Sequence, residues 1–151
     1  MEETQVYAAS CPDYGQAEAC IRTLVEQMGG MGRFVRPGER IVLKANLLRA
    51  APPESAICTH PAVVEAVAKL VKEAGGTPVI CDSPGGALHK EAVLRSLYEK
   101  TGMAAAAAAA GAELSMDSST RTVSLPEGKV LRQAEIITPV AEADGVIDLC
   151  K

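Results

Sequence analysis

Short apolar runs alternate along this chain with stretches in which apolar residues recur at helical spacing. That alternation is the pattern of βαβ units feeding a mainly parallel sheet. Thr4 to Ala9 reads as a first strand. Gly15 to Met28 reads as a helix, with Ala17, Ile21, Leu24 and Met28 on one face and Glu18, Arg22 and Glu26 paired at i,i+4 on the other. Gly29-Gly30 ends it, Pro37-Gly38 turns the chain, and Arg40 to Ala45 forms a strand around Ile41-Val42-Leu43. The loop from Asn46 to Cys58, with Pro52-Pro53, is expected on the surface.

Thr59 is placed as an N-cap, and Pro61 to Ala74 reads as a helix burying Val63, Val67, Leu70, Val71 and Ala74, closed by Gly75-Gly76. Thr77 to Cys81 is the next strand. Leu88 to Lys100 is a third helix with Leu88, Ala92, Leu97 and Tyr98 inward, and the alanine-rich run from Met103 is a fourth, ending at Gly111. Glu113 to Met116 reads as a short strand. Arg121 to Leu125 and Val130 to Ile137 form an added β-hairpin around Pro126-Glu127-Gly128, and Gly145 to Leu149 is a last apolar strand. The expected fold is α/β: a mainly parallel sheet with helices on both faces. No repeat or linker divides residues 1–151, so they read as a single domain. The stop at Cys150-Lys151, directly after a strand, marks it as a truncated part of a longer protein.

Composition narrows the picture. Hydrophobic residues make up 48% of the 151 residues, which excludes a disordered chain, and aromatics only 3%, so Val, Ile, Leu and Ala must fill the core. The formal net charge of -4 argues against nucleic acid as a partner. No apolar run reaches the roughly 20 residues a bilayer requires, and the start Met1-Glu2-Glu3-Thr4 lacks a secretory signal, so the expected location is cytoplasmic, away from membrane. Cys11, Cys20, Cys58, Cys81 and Cys150 are scattered, without Cys-x-x-Cys spacing. They read as reduced, mostly buried thiols with no local zinc or iron–sulfur site.

Candidate chemistry falls where strands of a parallel sheet lead into helices. Lys44 and Asn46 stand on one face at the end of the second expected strand, a cation and an amide suited to an oxyanion; the plain alternative is a solvated lysine with Asn46 shaping the turn. Thr59-His60-Pro61 opens a helix, where free amides favour anions and His60 offers an acid or base; the alternative is a simple cap. Asp82-Ser83-Pro84-Gly85-Gly86 follows the third expected strand, with Asp82 set to meet a metal, a hydroxyl or Lys44; the alternative is a plain turn. The loop is neither a Walker loop nor Gly-x-Gly-x-x-Gly. His89, beside Lys90 and Glu91, reads as a surface residue.

These segments, in this order, resemble the domain-of-unknown-function 362 family. The matching text runs from Val35 to Asn46, Thr59 to Val64, Glu73 to Gly76 and Asp82 to Gly85, with Thr101-Gly102-Met103 and Ala143 to Leu149 later. The family has Lys-Pro-Asn where this chain has Lys44-Ala45-Asn46, and it continues past the last strand into a Lys-Thr-His-like segment. The resemblance implies a parent protein that often carries a ferredoxin-like domain with iron–sulfur clusters, a redox partner, and no cluster in this segment.

The expectation is a ligand-binding domain of an iron–sulfur-associated protein. Lys44, Asn46, Thr59, His60, Asp82 and Ser83 would line a site for a small anionic ligand or cofactor, with no metal ligands among them. One alternative is an enzyme acting on a small carboxylate, with His60 as base and Lys44 as clamp. Another is a non-catalytic assembly module.

Overall fold

The computed structural model describes residues 5–83 and 90–151. Strands β1 (Arg40–Ala45), β2 (Thr77–Cys81), β3 (Glu113–Leu114) and β6 (Gly145–Leu149) form one sheet in the order β3-β2-β1-β6, with every neighbouring pair parallel. β4 (Thr120–Ser124) and β5 (Gln133–Ile137) pair antiparallel as a separate hairpin. The α/β fold, the parallel sheet and the added hairpin are therefore all present. β1 and β2 are covered on both faces and read as continuous apolar runs, as buried parallel strands do.

Alternate residues of β1 serve different cores. Ile41, Leu43 and Ala45 pack with Ile80 against α2 (Pro61–Glu73), α3 (Glu91–Lys100) and α4 (Met103–Ala110), with Ile21 and Val25 of α1 (Ala17–Gln27) at the margin. Val42, Val79 and Cys81 face the other way, beneath Ile137, Val140 and Ala143, so the short α5 (Thr138–Ala141) is the helix on that side. The four longer helices thus share one face. In α4 the alanine side chains allow close approach, and Met103, Ala106, Ala107 and Ala110 are buried. Gly76, just past α2, stands where any Cβ would come within 2.7 Å of Val35, so α2 and the start of β2 meet there only with glycine.

Several expectations are corrected. Residues 5–9 of the expected first strand carry no regular structure and lie exposed, Val6 at 87%, and they pair with neither edge strand, β3 or β6. The loop after β1 is not simply exposed: Leu47, Ala51 and Cys58 are buried beneath it. In α2 Val64, Ala66 and Ala68 are buried, while Val63 and Ala74 are half-buried. In α3 Leu94 is inward and Ala92 exposed, since the face is set by α4 packing beside it. All five cysteines are free, but only Cys58 and Cys81 are buried. Pro84, Gly85, Gly86, Leu88 and His89 lie outside the described residues.

Candidate functional site

Lys44 is the penultimate residue of β1, paired with Cys81 of β2 on one side and Asp148 of β6 on the other. Residues paired in a parallel ladder share a face, so Lys44, Cys81 and Asp148 form one row at the carboxyl end of the sheet. Lys44 Nζ lies 3.4 Å from Asp82 Oδ1, with the Asp82 side chain only 9% exposed. Asp82 is already well used. Its Oδ2 accepts the Leu47 N–H at 2.6 Å and its Oδ1 accepts the Ser83 N–H at 2.8 Å. It straps the exit of β2 to the chain leaving β1, and Ser83 enters through its backbone amide with its side chain at the surface.

Asn46 and Thr59 are joined reciprocally. The Asn46 N–H donates to Thr59 Oγ1 at 2.9 Å and the Thr59 N–H donates to the Asn46 carbonyl at 3.0 Å. Thr59 Oγ1 donates in turn to the Leu149 carbonyl at 2.6 Å, tying the helix start to the end of β6. The expected N-cap is thus shifted by one residue. His60 caps α2, its Nδ1 accepting the Ala62 N–H at 3.2 Å, while buried Thr59 braces β1 against β6. Among the described residues the half-buried Asn46 side-chain amide makes no hydrogen bond.

The His60 ring is stacked face to face with Tyr14, centroids 3.5 Å apart and planes within 4°. Partial burial holds its pKa below the ordinary value; Lys151 pushes it the same way and Glu54 opposes. With Nδ1 accepting from Ala62, the neutral ring carries its proton on Nε2 and presents a donor. Lys151 donates to the carbonyl of Ala56, whose φ of 53° is left-handed, an unusual conformation for alanine.

The six expected residues therefore lie at one end of the sheet, in three joined groups: Lys44 with Asp82 and Ser83, Asn46 with Thr59, and His60 with Tyr14. Tyr14, Cys81 and Asp148 were not among them. Cys81 and Asp148 could have been found by laying the expected strands in parallel register. Nothing in the sequence around Tyr14 points to a partner almost fifty residues away. Burial, aided by Asp82, pushes the Cys81 thiol up to about 11, which favours its protonated form. Among the described residues no group of three or more His, Cys, Asp or Glu is placed to hold a metal ion.

A mainly parallel sheet with helices packed against it defines a general class, the open-sheet α/β domains, in which ligands commonly settle beyond the carboxyl edge. Within it, residues 41–151 match the family described as Domain of unknown function (DUF362), and the chain belongs to that family. A curated relative, the thylakoid-associated protein sll1697 of Synechocystis sp., is 54% identical over 70 residues, which are 46% of this chain and 22% of that protein. The aligned stretch is thus a small part of a longer relative. No solved structure matches the chain. No helix among the described residues is long and apolar enough to cross a membrane.

Proposed function

We propose that this domain binds a small anionic molecule or cofactor at the carboxyl end of its sheet, in the service of a longer, iron–sulfur-associated redox protein in the cytoplasm. The observation that carries the reading is the place of Lys44. Strands β2 and β3 are added on one side of β1 and β6 on the other, so Lys44 and Asn46 stand where the strand order divides. In open α/β sheets the crevice outside the carboxyl ends at such a division is where ligands settle. Lys44, 37% exposed, keeps ammonium donors beyond its contact with Asp82. The Asn46 amide, which has no hydrogen-bond partner among the described residues, and the proton on His60 Nε2 add further donors. Ser83 lies at the rim, buried Thr59 braces the strand ends beneath it, and Asp82 holds Lys44 in position.

The state of His60 favours binding over base catalysis, because the nitrogen that would take a proton is already bonded to Ala62. The longer relative supports a domain that works as part of a larger chain, and the family resemblance supports the iron–sulfur association.

A thermal-shift series with phosphate, sulfate, small carboxylates and divalent metals at constant ionic strength tests the anion site. A ligand at about a hundred times its Kd raises the midpoint by roughly 5–10 °C for a chain of this size. Lys44→Ala should abolish that rise. A response to metals alone that survives Lys44→Ala and vanishes in Asp82→Ala would overturn the reading.

A further inference from the structure

Residues 5–11, ahead of the turn that leads into α1, have no regular structure, yet a thiol of α1 reaches them. The Cys20 thiol, on the first turn of α1, donates to the Ser10 carbonyl at 3.8 Å, and the Cys11 thiol donates to the Asp13 carbonyl at 3.2 Å. Ser10 is the residue before Cys11, so the Cys20 thiol reaches the segment at the position next to that cysteine. Both line a cavity of about 330 Å³ between the segment and the helix, shared with Tyr14, Ala17, Ile21 and Val63. Cys11 is exposed and Cys20 half-buried, so a small reagent can reach the pair, whereas Cys58 and Cys81 are buried. The residues between the two cysteines include the short 3₁₀ turn Tyr14–Gln16, and Tyr14 is the residue stacked on His60.

We propose that Cys11 and Cys20 form a reversible disulfide that locks this segment onto α1 and fixes Tyr14 over His60. The oxidant is a small-molecule disulfide. One protein thiolate attacks a sulfur of that disulfide, forming a mixed disulfide and releasing one small thiolate. The second protein thiolate then attacks the protein sulfur of the mixed disulfide, closing the Cys11–Cys20 bond and releasing the second small thiolate. The two protons lost by the cysteines end on the two released thiols, and the two electrons have passed from the protein to the small disulfide. Closing a short loop removes open conformations of the segment. The Tyr14 ring then stays against the nitrogen-capped end of α2. The switch does not depend on what the neighbouring site binds.

The experiment uses the full chain carrying Cys150→Ser, equilibrated with mixtures of reduced and oxidised glutathione and mapped by mass spectrometry without reduction. An intramolecular Cys11–Cys20 crosslink that dithiothreitol reverses is expected, with amide exchange from Tyr14 to Ala19 slowed about tenfold in the oxidised form. Cys20→Ser in the same background should leave Cys11 as a glutathione adduct with no such slowing. Separate adducts on Cys11 and Cys20, free thiols under conditions that modify Cys150 of the unsubstituted chain, or a crosslink that leaves exchange at Tyr14 unchanged would each overturn the proposal.

Discussion

His60 commits one ring nitrogen to its own helix and one face to Tyr14. Both contacts suit a neutral ring, and partial burial lowers the pKa from the ordinary 6.5. As the pH falls through that value the unfolded chain takes up a proton that the folded chain resists, so stability drops with falling pH. The contribution of neutral His60 is fully present above about 6.5 and declines below it. We therefore expect urea unfolding to show a larger loss of stability between pH 7 and pH 5 in the native chain than in His60→Gln. Equal losses in the two proteins would show that His60 is indifferent to its charge state. A Thr-His-Pro sequence points to a helix start, and this much was legible. Which residue caps was not, because that depends on Thr59 being drawn away by Asn46 and Leu149, partners distant in the chain.

At the scale of elements, the joint between β1 and β2 rests on Asp82. Its carboxylate accepts two backbone N–H groups and meets Lys44, and the Leu47 it serves is wholly buried. Removing the acceptor strands the Leu47 N–H in a dry place, so Asp82→Ala should cost about 1–3 kcal/mol in urea denaturation. Lys44→Ala should cost under about 1 kcal/mol, because the ammonium is part-exposed and its ion pair is screened. If the two substitutions cost the same, the ion pair rather than the backbone strap holds the joint. β1, β2, β6 and α4 have sharp edges in the sequence because turns or glycines bound their apolar runs. The segment from Gln5 to Ala9 mimics a strand by composition alone; a strand also needs a neighbour, and neither edge of the sheet takes it. α5 went unread because its four residues are too few to show a helical period.

Across the whole molecule, protection should follow the layering. β1 has a strand on each side and a core on each face, whereas β4 and β5 pair only with each other and are largely exposed. Native-state hydrogen exchange should find the slowest strand amides at Val42 to Lys44 and the fastest at Thr120 to Ser124. Equal protection in the two sheets would mean that the hairpin unfolds only with the rest of the domain. The sequence by itself determined the kinds of element and their order, since hydrophobic period, caps and glycines act over a few residues. It also determined that Lys44, Asn46, Thr59 and Asp82 leave or enter elements at the same end of a parallel sheet, because parallel strands put all their exits on one side. Only the tertiary structure decided that β6 returns beside β1 rather than beyond β3, which sets Asp148 next to Lys44. It alone decided that Tyr14 lies on His60 and that the Cys20 thiol reaches the segment beside Cys11. Such contacts are chosen by how whole elements bury their apolar faces together, and no local pattern in the chain records that choice.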